Sequence, residues 1–168
     1  QVHLEGENPN TILLVLMLRC RVPAAGERHG DILLDAEKVV NADRLAEEEL
    51  EATISIKLTA LGLLIDAKRC YTLTRRLVNH AQKLGNFVRI DMEDSQCTDL
   101  TIDLYLKLRS EFTNVGIVLQ AYLHRTNDDA RELVSKGAGL FRLCKGIYIE
   151  PESIAYKDHN EINANYLK

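Results

Sequence analysis

The sequence predicts an α/β fold in which short strands and helices alternate along the chain. Segments rich in apolar and β-branched residues start near residues 53, 86, 115 and 140, and the segments between them have helical periodicity. The strand starts are about 25 to 35 residues apart, which is the spacing of repeated βαβ units with parallel strands.

The four predicted strands are short and nearly continuous in hydrophobicity, as expected of parallel strands that are covered on both faces. They are Thr53–Leu58, Asn86–Ile90, Val115–Ala121 and Leu140–Cys144. Parallel strands need a crossover connection, so the segments between them are predicted to be helical.

The first of the predicted helices carries an apolar stripe from Cys70 to Leu84 at intervals of three and four residues. Gly85 follows it as a C-cap. The next segment, 100–112, fits both a helical stripe and a strand-like alternation. We assign it to a helix because a βαβ connection must cross over the sheet.

The helix before the last strand has a start and a stop signal. Thr126-x-x-Asp129 is predicted to open it as a capping box, and Gly137 is predicted to close it.

The first 50 residues carry weaker patterns. We expect a strand at Thr11–Leu18, a loop at Arg19–Asp31 and a charged helix at Asp35–Ala52. No linker or low-complexity segment divides the chain, so residues 1–168 are treated as one α/β domain.

Two architectures fit this alternation. A five-stranded doubly wound sheet suits 168 residues well. A (β/α)₈ barrel of the TIM type ordinarily takes about 250 residues, so a barrel would be incomplete here. The pattern alone favours the first.

Composition excludes several classes of function. The net charge of −4 argues against nucleic acid as a partner. The four cysteines are far apart without a CxxC pair, so neither a zinc site nor a disulfide framework is expected. A reducing compartment follows, with the bacterial cytosol preferred and the mitochondrial matrix as the alternative. The longest apolar run, Ile12–Leu18, is too short to span a bilayer, and no signal peptide is evident.

Polar residues lie in or just after the last turns of all four predicted strands, where parallel α/β folds bind ligands. They are Lys57 inside the first strand, Asp91 after the second, Gln120 at the end of the third, and Arg142 and Lys145 around the end of the fourth. Each alone has a structural explanation, such as a helix cap or a snorkelling lysine. Together they predict one polar, charge-balanced pocket. The neighbouring Glu93 and Asp94 are interpreted as a solvated acidic loop rather than a metal site.

These segments resemble successive strand motifs of the proline dehydrogenase family. The matching motifs are ISIKLTALGLLID (54–66), NFVRIDMEDS (86–95), VGIVLQAYLHRT (115–126), FRLCKGIYIEP (141–151) and IAYKDHNEINANYLK (154–168). The resemblance covers residues 53–168 in order and spacing, whereas residues 1–50 match poorly.

The resemblance implies a (β/α)₈ barrel, incomplete here with about five β/α units, that binds FAD. It implies oxidation of L-proline to Δ1-pyrroline-5-carboxylate with transfer of the electrons to a quinone, and it leaves peripheral membrane association open. The oligomeric state is not indicated. The alternatives are a catalytically inactive remnant that binds a flavin or a partner, and a small doubly wound domain.

The resemblance also implies roles for individual residues. Asp91 and Arg142 would be catalytic, with Arg142 beside flavin N5, where a guanidinium stabilises the negative charge of the reduced ring. Lys57 and Tyr148 would contact the substrate, and Lys57 is expected to pair with Asp91. The positions implied to bind FAD are Met92, Gln120, Arg142, Lys145, Gly146 and Ile147.

Two departures from the family pattern are expected to matter. Ile147 stands in KGIY where the family has a small residue, and its bulk is expected to shift the site or weaken FAD binding. The family continues beyond the last motif with a His-containing strand motif and a helix whose paired arginines hold the proline carboxylate. We therefore expect this chain to represent a fragment of the catalytic barrel.

Overall fold

The computed structural model describes residues 53–168, and the expectations for Thr11–Leu18, Arg19–Asp31 and Asp35–Ala52 lie outside this range. Strands and helices alternate as predicted. The strands are β1 (Thr53–Ile56), β2 (Phe87–Ile90), β3 (Val115–Gln120) and β4 (Phe141–Cys144). The helices are a 3₁₀ turn (Thr59–Leu61), α1 (Ala67–Lys83), α2 (Thr98–Arg109), α3 (Thr126–Ser135) and α4 (His159–Tyr166).

All strand pairs are parallel and the strand order is β1-β2-β3-β4. A doubly wound sheet reverses its order at a switch point, whereas the strands of a barrel follow one another around the axis. The observed order is that of consecutive barrel strands. The predicted α/β class is confirmed, and of the two architectures the order within residues 53–168 is that of the barrel.

The first strand is shorter than predicted, which corrects the position of Lys57. β1 ends at Ile56, so Lys57 lies just beyond the strand rather than inside it. The backbone pairing still continues at this point, because the Asp91 amide donates to the Ile56 carbonyl at 2.8 Å. Lys57 and Asp91 therefore follow the ends of two neighbouring strands at the same level of the sheet.

The two glycines predicted to end helices do so in the Schellman arrangement. After α1, Gly85 has a φ of 73° and its amide donates to Gln82, while the next amide donates to Ala81 at 2.8 Å. After α3, Gly137 has a φ of 69° and makes the equivalent pair of bonds. The ambiguous segment 100–112 is helical over Thr98–Arg109, as assigned.

The predicted capping box at the start of α3 is wrong. Thr126 is already the first helical residue, and its hydroxyl donates to the Gln120 carbonyl at 2.5 Å instead of accepting from its own helix. The Asp129 carboxylate accepts two bonds from Arg125 Nε, at 2.8 and 3.1 Å. The carbonyl at the end of the buried strand β3 needs a donor, and the buried Thr126 hydroxyl supplies it.

The main core lies between the sheet and the helices. Helix α1 packs against β2, while α2 and α3 pack against β3, whose six residues are all buried. A second, small apolar cluster lies beyond the carboxyl ends of the strands, around Tyr122, Leu123 and Ala155. This second cluster positions the loop that follows β4.

Candidate active site

One carboxylate and two cations meet at the carboxyl ends of the strands. Asp91 Oδ2 lies 3.5 Å from Lys57 Nζ, and Asp91 Oδ1 accepts a hydrogen bond from Arg142 Nη2 at 3.2 Å. We call these three residues the Asp91 cluster. The ion pair expected between Lys57 and Asp91 is present, and Arg142 joins it from two strands away.

The Asp91 cluster lies at the border between core and solvent. The Asp91 side chain is 14% exposed, whereas Lys57 and Arg142 are 37% and 39% exposed. The carboxylate is thus largely buried, whereas the two cations that contact it extend toward solvent. Because both pairs are partly solvated, their value for the site is the fixed placement of two positive groups rather than a large contribution to stability.

Tyr148 approaches the same cluster from the loop after β4. Its ring packs against the small apolar cluster around Tyr122. Burial raises the pKa of the Tyr148 hydroxyl, while the positive charge of Lys57 and a hydrogen bond from it act in the opposite direction. The structure therefore brings together four of the predicted site residues, namely Lys57, Asp91, Arg142 and Tyr148.

Gln120 ends β3 with its side chain buried. The amide nitrogen donates to the backbone carbonyls of Met92 at 2.8 Å and Glu93 at 3.3 Å. Its oxygen Oε1 is buried and has no hydrogen-bond partner within residues 53–168. A buried acceptor without a partner is costly, so this oxygen is a position at which a ligand N–H would be stabilised.

Gly146, in the loop after β4, packs closely against the Tyr122 ring. It has a φ of 107°, and a Cβ at this position would lie 2.2 Å from the Tyr122 ring. The backbone pairing extends into this loop, since the Tyr122 amide donates to the Lys145 carbonyl at 2.8 Å. The close approach that Gly146 permits is thus to a tyrosine ring of the protein, in addition to the approach to a cofactor that the sequence predicts.

The two neighbours of Gly146 face solvent. Lys145 is exposed, and Ile147 is 87% exposed. The added bulk of Ile147 therefore does not crowd the described residues. Its expected effect on a bound cofactor stays a prediction.

The interpretation of Glu93 as part of a solvated acidic loop is wrong. Glu93 is buried, and its carboxylate accepts from the Thr59 amide at 3.0 Å and from the Thr59 hydroxyl at 2.5 Å. It ties the loop after β2 to the loop after β1. Within residues 53–168, no group of three or more His, Cys, Asp or Glu side chains is placed to hold a metal ion.

Sequence analysis missed a second buried carboxylate of this kind. Glu150, in the loop after β4, accepts from the Ser95 amide at 2.6 Å and from the Ser95 hydroxyl at 2.7 Å. The Glu150 backbone carbonyl also accepts a hydrogen bond from Lys157 Nζ. Glu93 and Glu150 together connect the loop after β2 to the loops after β1 and β4. No local pattern marks either residue, because their partners are 34 and 55 positions away.

Comparison with known proteins shows the family to which the chain belongs. The sequence profile of the proline dehydrogenase family matches residues 13–163. The chain belongs to the proline dehydrogenase family. Proline dehydrogenase 2 of Bacillus subtilis is 38% identical over 124 residues, which are 74% of this chain and 41% of that protein. Proline dehydrogenase of Deinococcus radiodurans is 34% identical over 139 residues, which are 80% of this chain and 44% of that protein.

Solved structures of the bifunctional proline utilization A proteins share this fold. The structure from Bdellovibrio bacteriovorus, inactivated by N-propargylglycine, superposes with a TM-score of 0.69 at 23% identity, over 79% of this chain and 18% of that one. A mutant from Bradyrhizobium japonicum gives a TM-score of 0.68 at 14% identity, over 80% and 17%. The chain spans less than half the length of the proline dehydrogenases it matches. No helix in the described part of the chain is long and apolar enough to cross a membrane.

Proposed function

We propose that the protein to which this chain belongs is an FAD-dependent proline dehydrogenase that oxidises L-proline to Δ1-pyrroline-5-carboxylate. The observation that carries the proposal is the Asp91 cluster. It sets one carboxylate between two cations at the carboxyl ends of parallel strands, where barrel enzymes bind their ligands. Family membership supports proline oxidation as the reaction at this site, since relatives in two bacterial genera are named for this activity.

The residues of the chain fit FAD. Among residues 53–168 no group donates to the buried Gln120 Oε1, and this acceptor suits a ring N–H of the isoalloxazine. Exposed Lys145 offers a positive charge for the phosphates, and Gly146 beside it adds no side chain that would hinder the approach of a cofactor to the backbone. Met92 and Ile147 complete the proposed contacts. FAD, when bound, would accept the two electrons that are removed from the substrate.

The side chains of this chain orient the reactants and stabilise charge. Arg142 places a fixed positive charge where negative charge develops during the reaction. Asp91 holds Arg142 and Lys57 in position, so neither cation must reorganise when the substrate arrives. Tyr148 provides an apolar wall with a hydroxyl near Lys57, which suits the ring of proline.

The remaining elements of the proposal concern partners and compartment. A quinone is the proposed electron acceptor, which would bring the enzyme to a membrane surface where quinones reside. The bacterial cytosol is the proposed compartment, with the mitochondrial matrix as the alternative, and the bacterial relatives support the first.

The test is the absorption spectrum of flavin mixed with the purified 168-residue chain, recorded before and after addition of L-proline. Bound flavin that bleaches with proline supports the proposal in full. Bound flavin that does not bleach would assign the chain to cofactor binding, the alternative in which it acts as an inactive flavin-binding module. Absence of bound flavin would contradict the proposal for this chain.

A matched pair of variants makes the test specific. Gln120→Leu removes the acceptor Oε1 together with the two bonds donated to the Met92 and Glu93 carbonyls, and it should weaken flavin binding by at least roughly tenfold, since one hydrogen bond within a buried site contributes on the order of 1.4 kcal/mol. Gln96→Leu changes an exposed glutamine and should leave binding as it is.

A further inference from the structure

Lys57 lies between two backbone groups that are both bonded to the segment after β2. Strand β1 ends at Ile56, whose carbonyl accepts from the Asp91 amide at 2.8 Å. The 3₁₀ turn begins at Thr59, whose amide donates to Glu93 Oε1 at 3.0 Å. The same segment carries Asp91, which is the ion-pair partner of Lys57. The backbone on each side of Lys57 is therefore bonded to the segment that holds its partner.

The 3₁₀ turn has no capping side chain of its own. The residue before the turn, Leu58, is apolar and buried, and the first amide of such a turn has no acceptor inside it. Glu93 supplies the cap from the next loop, because its second oxygen, Oε2, also accepts from the Thr59 hydroxyl at 2.5 Å. Without this carboxylate, the Thr59 amide and hydroxyl would both lose their acceptor.

The Glu93 backbone makes a contact on the opposite side. Gln120 Nε2 donates to the carbonyls of Met92 at 2.8 Å and Glu93 at 3.3 Å. The side chain of Glu93 thus holds the loop that carries Lys57, while its backbone is held by the glutamine that is proposed to contact flavin. Because the two contacts use different atoms, a substitution of the Glu93 side chain removes the first contact and keeps the second.

We propose that Glu93 is a positioning residue that fixes Lys57 at Asp91. Its carboxylate holds the start of the 3₁₀ turn, so the chain after β1 cannot shift away from the segment after β2. A lysine side chain is long and flexible, and its ammonium is placed reliably only where the backbone that carries it is fixed. The consequence for catalysis rests on the proposed function: an ammonium that is already in place need not reorganise when proline binds.

The first experiment needs no cofactor. Crystal structures of the chain and of its Glu93→Ala variant are compared at the Lys57 Nζ to Asp91 Oδ2 distance, which is 3.5 Å here. Glu93→Ala should separate this pair, whereas the contact of Arg142 with Asp91, which does not involve the turn, should persist. An intact pair of Lys57 and Asp91 in Glu93→Ala would overturn the proposal.

Two further variants separate the length of the side chain from its charge. Glu93→Gln removes the charge but keeps an acceptor within reach of the Thr59 amide, so it should retain the pair of Lys57 and Asp91. Glu93→Asp keeps the charge but is shorter by one methylene, so its carboxylate should withdraw from Thr59 and the pair should separate. Glu93→Asp takes the place of Glu93→Ala if the latter fails to fold. The reverse pattern, with the pair kept in Glu93→Asp and lost in Glu93→Gln, would contradict positioning by the hydrogen bonds.

Glu150→Ala is the matched control for the crystallographic comparison. Like Glu93, Glu150 accepts from the amide and the hydroxyl of a single residue, in its case Ser95, but it joins the segment after β2 to the loop after β4. Its removal breaks an equivalent pair of bonds and should leave Lys57 at Asp91. Loss of the pair in this variant too would mean that any loosening of the loops displaces Lys57, and would refute a specific role of Glu93.

The second experiment measures the reaction of the flavin-loaded protein. Glu93→Ala should slow the bleaching of flavin by low concentrations of proline by at least about tenfold, since a misplacement of about 1 Å can slow a reaction by about a hundredfold. Flavin affinity should stay unchanged, because Gln120 bonds to the backbone of residue 93. Glu93→Gln should restore most of the rate, and Glu132→Ala, which changes an exposed carboxylate paired with Lys136, should not alter it.

The outcomes of the second experiment distinguish the inference from the proposed function. An unchanged rate in Glu93→Ala, or a loss of flavin affinity as large as the loss of rate, would refute the positioning of Lys57 as the cause. If the unchanged chain binds no flavin, the proposed function fails for this chain. The crystallographic comparison then still decides whether Glu93 fixes Lys57 at Asp91.

Discussion

At the scale of single residues, the site depends on one carboxylate shared by two cations. Asp91 offers one oxygen to Lys57 and the other to Arg142, so each cation is placed by the same side chain. Removing either cation leaves Asp91 paired with the other cation alone. This shared carboxylate distinguishes the cluster from an isolated ion pair on the surface.

Lys57→Ala should reduce the rate at which proline reduces the bound flavin by at least about tenfold, equivalent to ~1.4 kcal/mol. The reason is that Asp91 then pairs with Arg142 alone, and the proposed substrate site loses a positive charge. The measurement is stopped-flow bleaching of flavin absorbance. Lys136→Ala, which removes an exposed lysine paired with Glu132, is the control. Unchanged flavin affinity and turnover in Lys57→Ala would exclude the assigned role.

Gly146→Ala should destabilise the fold more than Gly62→Ala does. Both glycines have positive φ, 107° and 82°, so both variants carry backbone strain of about 1 kcal/mol. Only at Gly146 would the new Cβ also meet the Tyr122 ring, whereas nothing lies within 4 Å of one at Gly62. Free energies of unfolding in urea measure both losses. Equal losses would show that Tyr122 moves aside without cost.

At the scale of elements, the loops at the carboxyl ends of the strands are held to one another by buried carboxylates. Glu93 joins the loops after β1 and β2, and Glu150 joins the loops after β2 and β4. The loops that carry Lys57, Asp91 and Tyr148 therefore form one connected unit. Loops are ordinarily the more mobile parts of a fold, so these ties preorganise the site.

Glu150→Ala should release the loop after β2 from the loop after β4. It leaves the Ser95 amide and hydroxyl without their acceptor, at a cost of about 1–3 kcal/mol. Hydrogen exchange at the Ser95 amide should become faster, while exchange in β2 should not. Glu152→Ala, at an exposed position two residues away, is the control. Slow exchange at Ser95 in the Glu150 variant would contradict the tie.

At the scale of the whole molecule, buried thiols make the fold sensitive to high pH. Burial raises the pKa of the Cys70 thiol from 9.0 to about 11, with smaller contributions from its neighbours, and that of Cys97 to about 12. Each thiol is neutral in the fold and ionises more readily once unfolded. The stabilisation is thus fully present below about pH 9 and is lost as the pH rises through about 11.

Cys70→Ala should reduce the loss of folding stability at high pH. Cys70 should account for on the order of 2 kcal/mol of the free energy of unfolding that the unchanged chain loses between pH 9 and 11, with Cys97 contributing further, so the variant should lose less by about that amount, although its cavity lowers stability at every pH. Urea unfolding at a series of pH values provides both curves. Parallel curves for the two proteins would mean that Cys70 does not contribute to the pH dependence.

The order and type of the described elements were determined by the sequence. Buried parallel strands produce continuous apolar runs, and a helix between them follows from the need to cross over, which is why even the ambiguous segment 100–112 was assigned correctly. The polar residues at the strand ends could also be identified from the sequence, because parallel strands bring their carboxyl ends to one edge of the sheet. The choice of a barrel over a doubly wound sheet came from the family motifs rather than from the pattern.

Apart from the pair of Lys57 and Asp91, only the tertiary structure decided which polar groups of the site and its loops meet. Glu93 and Glu150 are buried because their partners arrive from 34 and 55 residues away, and Arg89 reaches the Leu140 carbonyl across 51 residues. The Thr126 hydroxyl bonds to the end of β3 rather than to its own helix, because the turn that follows β3 brings it to the buried Gln120 carbonyl six residues earlier. A local pattern records the periodicity of burial, but a hydrogen bond between distant segments depends on the register of the sheet and the path of its loops, which exist only once the chain has folded.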